Sequence, residues 1–127
     1  MTVAVQMINV LVAEDSDDLR AAVVTLINEE KDMHCVGDTA CLAAVASMVQ
    51  QFAPHVVVLD VELQGESSLM HLSALRALAP QSKFVIFSGH SPPQFMRGAI
   101  AAGAAAYVQK SGNFDEILNA IRAVMQT

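Results

Sequence analysis

The chain has no tryptophan, one tyrosine, two cysteines and only seven lysines and arginines among its 127 residues. Each shortage closes off a class of protein. Cys35 and Cys41 stand six apart with nothing around them at metal-ligand spacing, so they are expected as buried or half-buried thiols. Scattered cations and a net charge of −6 leave no basic patch for a phosphate backbone, which argues against direct nucleic-acid contact by this domain. No apolar run approaches the ~20 residues needed to span a bilayer, and no signal peptide precedes the first strand. The expected compartment is the cytoplasm, with no membrane contact.

What is abundant is aliphatic: hydrophobic residues make up 54% of the chain. That length and composition suit one domain over 1–127, with a core that needs neither disulfides nor a structural metal. The acids gather in the first third, at Glu14, Asp15, Asp17 and Asp18 and again at Glu29, Glu30 and Asp32. Like charges at one edge invite a divalent cation, although a solvated acidic helix start has the same composition.

Strand-like and helix-like stretches alternate five times, the pattern of a parallel sheet covered on both faces. Strands are expected over 8–13, 34–39, 56–59, 83–87 and 105–109. Helices are expected over 17–28, with Ser16 or Asp17 as N-cap, over 41–51 and over 67–78 before Pro80. Two more are expected: one opened by Ser91-Pro92-Pro93 and closed by Gly103, and one begun by a capping box of Asn113 and Glu116. The β-branched run 56–59 should occupy the sheet centre.

Four of these strands end in polar residues: Glu14-Asp15, Asp60, Ser88 and Lys110. In an open α/β sheet, ligands bind beyond the carboxyl ends of the strands. A carboxylate there can attack phosphorus and form an aspartyl phosphate once the repulsion between two anions is removed. Magnesium takes one or two carboxylates plus phosphoryl oxygens, which Glu14, Asp15 and Asp60 could supply. Lys110 and the Ser88 hydroxyl could neutralise the equatorial oxygens from the opposite side. Singly, each has a plainer alternative: an acid before a helix for Asp60, a surface cation for Lys110, an edge filler for Tyr107. His34, His55 and His71 have no ligand spacing, and the methionines suit core gaps.

The motifs Val10-Leu11-Val12-Ala13-Glu14-Asp15, Val57-Val58-Leu59-Asp60, Ile86-Phe87-Ser88-Gly89 and Gly103-Ala104-Ala105-Ala106-Tyr107-Val108-Gln109-Lys110 occur in that order. Through them the chain resembles the receiver domain of bacterial response regulators over essentially its whole length. The resemblance implies a flavodoxin-like, doubly wound α/β fold with five helices and a five-stranded parallel sheet of order 2-1-3-4-5. It also implies roles. Asp60 is the phosphoacceptor, and Glu14, Asp15, Asp60 and the Glu62 backbone carbonyl are the Mg²⁺ ligands. Ser88 is the switch hydroxyl, Lys110 the phosphate-binding lysine and Tyr107 the aromatic switch. The donor would be a histidine kinase or histidine phosphotransfer protein, and the product would be hydrolysed slowly rather than turned over. Residues 91–103 would then suit a homodimer or partner contact. At subgroup level the likeness is to receivers attached to helix-turn-helix output domains, so the chain is read as a stand-alone receiver or the N-terminal part of a longer regulator.

The departures are specific. The acidic pair is Glu-Asp where Asp-Asp is commoner; Leu63-Gln64 replaces a Met-Pro pair, and Ser68 a glycine, which implies a less rigid or differently shaped loop after Asp60. Ser111 replaces the common proline after Lys110, which puts the usual cis peptide in question. Glu62 could compete for the metal or shield attacking water, and His90 could tune phosphate lifetime. The altered loop is the one support for an alternative, a binding-only receiver-like module that has lost efficient phosphorylation. A D-x-D hydrolase, suggested by Asp60-Val61-Glu62, would need a first-strand nucleophile and a cap domain. A flavin protein would need a hydroxyl-rich loop after the first strand.

Overall fold

All five residues of Val56–Asp60 are buried, as a strand can be only in the interior of a sheet covered on both faces. The structure is a computed structural model that describes residues 7–89, 93–111 and 113–126. Its elements in chain order are β1 (Ile8–Ala13), α1 (Asp17–Glu29), β2 (Met33–Thr39), α2 (Leu42–Phe52), β3 (Val56–Asp60), β4 (Glu62–Leu63) and β5 (Glu66–Ser67). A 3₁₀ turn (Leu69–His71), α3 (Leu72–Leu78), β6 (Lys83–Ser88), α4 (Pro93–Ala101), β7 (Ala106–Gln109) and α5 (Asp115–Val124) follow. The main sheet is parallel throughout, in the order β2-β1-β3-β6-β7. With the β4–β5 hairpin set aside, that is the expected 2-1-3-4-5 order of a doubly wound, flavodoxin-like fold.

Alternation along the strands sorts side chains to two cores. Ile8, Val10, Val12, Val56, Val58, Val85 and Phe87 point to the face covered by α1 and α5, where Val23, Ile27, Ile117 and Ile121 meet them. Leu11, Val57, Leu59, Phe84 and Ile86 point to the other face, packed by Val45 and Val49 of α2, Leu72 and Leu75 of α3 and Ala99 of α4. Such layering brings the C-terminal ends of β1, β3, β6 and β7 to one edge.

Several local expectations are corrected. The helix expected over 67–78 begins as the second strand of a hairpin, then a 3₁₀ turn, and becomes α-helical only at Leu72. Leucines at helical spacing suggested otherwise, but Leu63 is fully buried from the hairpin and Leu78 is exposed. Asn113 does not form a capping box: its Oδ1 accepts from the Asp115 N–H at 3.1 Å, and Phe114 is the N-cap. Ser16 caps α1 as expected, its hydroxyl accepting from the Leu19 N–H. Cys35 and Cys41 are free and half-buried. The Lys110–Ser111 peptide is trans. His90 and the Ser91-Pro92 start of α4 lie outside the described residues.

Candidate active site at the strand ends

Backbone hydrogen bonds fix the register of the polar edge. The Glu14 N–H donates to the Thr39 carbonyl at 3.0 Å, Val61 N–H to Phe87 at 3.2 Å, and Lys110 N–H to Ser88 at 2.7 Å. Each strand end is therefore tied to its neighbour just where a candidate site residue emerges. Arg20 adds a further tie from α1, its Nη1 donating to the Glu14 carbonyl at 2.9 Å while its other nitrogens hold Asp17 and Asp38.

Together these ends enclose a cavity of about 690 Å³ whose lining includes Asp15, Asp60, Glu62, Ser88, Phe95 and Lys110. Lys110 Nζ lies 2.6 Å from Glu14 Oε1 and 3.1 Å from Asp60 Oδ2, and 5.2 Å above the centre of the Phe87 ring. Burial works against the ammonium, but the two carboxylates outweigh it and hold the Lys110 pKa above its ordinary value. Asp60 is only 5% exposed. Burial, then the neighbouring Glu14 charge, pushes its carboxyl up to about 7, against the pull of Lys110. Asp15 is exposed and shifted the other way, chiefly because its Oδ2 accepts the Gln64 N–H at 3.0 Å.

Three carboxylates crowded around one ammonium leave an excess of negative charge, and that is the arrangement a small divalent cation would relieve. One carboxylate oxygen from each of Glu14, Asp15 and Asp60 can be chosen so that all lie within 4.8 Å of one another. Octahedral ligands at magnesium distances stand about 3 to 4 Å apart, so small side-chain rotations close the set. Glu14 Oε1 is buried and accepts no well-directed hydrogen bond, its charge being met by Lys110. The donor set is all oxygen, which suits a hard cation.

Five of the residues read from sequence thus meet at one place: Glu14, Asp15, Asp60, Ser88 and Lys110. Glu62 lines the cavity, and its N–H donates to Asp60 Oδ1 at 3.3 Å. Tyr107 belongs elsewhere, to a groove of about 550 Å³ between α4 and α5 that Met96, Gln109, Glu116 and Asn119 also line. Sequence reasoning missed the β4–β5 hairpin. Its two-residue loop, Gln64-Gly65, has φ of 52° and 83°, the positive pair a type I′ turn requires. The glycine at the second turn position, between Glu62-Leu63 and Glu66-Ser67, was the available signal.

The sequence profile of the response regulator receiver domain matches residues 10–122. This chain belongs to that family. As a receiver of two-component signalling it is 32% identical over 119 residues to the transcriptional regulatory protein DesR of Bacillus subtilis, covering 94% of this chain and 59% of that protein. It is 29% identical over 118 residues to the response regulator GacA of Pseudomonas aeruginosa, covering 93% of the chain and 55% of the relative. The receiver thus spans less than two thirds of the length of the curated relatives it matches. Among solved structures, a DNA-binding response regulator of the LuxR family from Staphylococcus aureus superimposes with a TM-score of 0.85 at 28% identity, covering 93% of this chain and 98% of that one. Among the described residues no helix is long and apolar enough to cross a membrane.

Proposed function

We propose that the domain accepts a phosphoryl group on Asp60 from a histidine kinase or histidine phosphotransfer protein in a Mg²⁺-dependent reaction. The observation that carries this is the meeting of Asp60, Glu14, Asp15 and Lys110 at one sheet edge. An Asp60 oxygen attacks phosphorus in line, the P–O bond forms as the donor's P–N bond breaks, and the leaving imidazole takes up a proton. Held by Glu14, Asp15, Asp60 and the Glu62 carbonyl, Mg²⁺ would supply positive charge against the phosphoryl oxygens and favour the ionised form of Asp60. Lys110 then exchanges part of its contact with the carboxylates for a phosphoryl oxygen, and the buried Ser88 hydroxyl turns to the same group.

The output we propose is a change at α4, β7 and α5, where Ser88 and Tyr107 act as the switch pair. Phe95, Met96 and Ile100 are 44–49% exposed on α4, which suits a homodimer or partner contact. With a net charge of −6, DNA contact would belong to another part of a longer regulator. The greater length of the curated relatives supports reading residues 1–127 as a single receiver domain within a longer regulator.

The test is incubation with acetyl phosphate with and without Mg²⁺, followed by intact mass. The expected result is one Mg²⁺-dependent phosphoryl adduct that Asp60→Asn lacks. No adduct with metal present would favour the binding-only module.

A further inference from the structure

Ser68 has no solvent exposure, and it takes up both carbonyls that follow the proposed nucleophile. Its Oγ donates to the Asp60 carbonyl at 2.5 Å, and its N–H donates to the Val61 carbonyl at 2.9 Å. From the other side, the Val61 N–H is held by Phe87 and the Glu62 N–H turns back to Asp60 Oδ1. The Asp60–Val61 peptide is therefore clamped where the chain leaves the sheet and enters the hairpin. At φ −69° and ψ −26°, Ser68 has an ordinary right-handed helical backbone that any residue adopts. What distinguishes serine at this position is its hydroxyl.

We infer that Ser68 is a positioning residue for phosphoryl acceptance. Its hydroxyl fixes the peptide plane after Asp60, and with it the direction of the Asp60 carboxylate. The same clamp sets the base of the hairpin whose tip N–H, on Gln64, holds Asp15. One buried hydroxyl thus governs two of the three carboxylates that face the cation. This inference rests on the assignment of Asp60 as the phosphoacceptor.

An internal control exists at the opposite end of the sheet. Ser82 is also buried, and its Oγ donates to a backbone carbonyl, that of Pro54, at 2.6 Å. Removing that hydroxyl imposes the same kind of loss, a buried acceptor without its donor, away from the carboxylates. A merely structural Ser68 would behave as Ser82 does.

The experiment compares wild type, Ser68→Ala, Ser68→Cys and Ser82→Ala as full 127-residue chains. Mg²⁺ alone is titrated against backbone amide shifts, the rate of adduct formation from acetyl phosphate is taken at saturating Mg²⁺, and Tm is recorded for each. Both alanine variants should lower Tm, but only Ser68→Ala should weaken Mg²⁺ binding and slow adduct formation, by about tenfold, as a small misplacement of reacting groups does. Ser68→Cys keeps the shape with a poorer donor and should fall between; it also decides the matter if Ser68→Ala does not fold. Wild-type affinity and rate in either Ser68 variant, or an equal loss in Ser82→Ala, overturns the inference alone. Failure of wild type to form an adduct overturns the phosphoacceptor assignment and this inference with it.

Discussion

Lys110 Nζ and Asp60 Oδ2 stand 3.1 Å apart although fifty positions separate them in sequence, and the same ammonium touches Glu14 at 2.6 Å. Lys110 is the cation that offsets two buried carboxylates, so Lys110→Met should destabilise the metal-free protein. At pH 8 the loss should be about 2–3 kcal/mol, somewhat below a fully buried pair because the lysine side chain is 21% exposed. At pH 5 Asp60 can take up a proton instead, and the loss should shrink. Urea titrations in chelator at the two pH values measure this; equal losses would mean that the ammonium does not compensate the pair.

Asp60 carries the complementary prediction. Its carboxyl is pushed up to about 7, first by burial and then by Glu14, from an ordinary value of 3.8. A raised folded-state pKa means that the group's contribution to stability is fully present below the unfolded value and is lost as pH rises through 7. Metal-free wild type should therefore lose on the order of a few kcal/mol between pH 4 and pH 8 from this group. Asp60→Asn cannot ionise, so its stability should vary less with pH and exceed that of wild type at pH 8. Thermal melts in chelator across that range decide it, and parallel pH profiles for the two proteins would contradict the assignment of strain to this carboxylate.

Arg122 joins two elements that are distant in sequence. Its Nε and Nη2 each reach Asp32 at 2.9 Å, and Nη2 reaches Glu30 at 2.6 Å, fastening α5 to the turn between α1 and β2. The Arg122 hydrogen bonds hold the Asp32 carboxyl below its ordinary value, so this contribution is present above the unfolded pKa and lost as pH falls through the folded one. The side chains are 28–36% exposed, so Arg122→Ala should cost only about 1 kcal/mol at pH 7, less in high salt. Arg122→Lys should recover little, since lysine lacks the planar fork. Denaturant curves should show the gap between wild type and Arg122→Ala narrowing as pH falls below the ordinary aspartate value; a gap unchanged by acid or salt would point to lost packing instead.

The parallel sheet was legible because a doubly covered strand must be apolar on both faces. Runs such as 56–59 therefore announce themselves, and the polar residue that ends each run marks the edge where the candidate site gathers. Glu14, Asp15, Asp60, Ser88 and Lys110 were all found that way. The segment after Asp60 was not. Leu69, Leu72 and Leu75 keep helical spacing, which extended the expected helix back to residue 67, and Gly65 marked only a loop; Leu63 is buried by a hairpin whose existence depends on the tertiary fold. Ser68 was equally hidden, noted only as a replacement for glycine. A serine hydroxyl gives no pattern in sequence, and only the folded chain shows which carbonyl it satisfies.

The hairpin tip gives a last prediction, one that separates backbone conformation from contact. Gly65 sits at φ +83°, and a Cβ placed there would meet no atom within 4 Å. The first effect of Gly65→Val is then on the left-handed backbone, which a β-branched residue resists at about 1–3 kcal/mol. If the turn relaxes, the Gln64 N–H swings away from Asp15 Oδ2, the contact that does most to hold the Asp15 carboxyl below its ordinary value. Carbon-detected NMR titration of the metal-free variant should therefore place Asp15 closer to an ordinary aspartate, and Mg²⁺ binding should weaken several-fold as that side chain becomes mobile. Gln64→Asn, which suits the first position of a type I′ turn, should leave both readings unchanged or tighten them. An Asp15 titration in Gly65→Val identical to wild type would show that the hairpin tip does not orient this carboxylate.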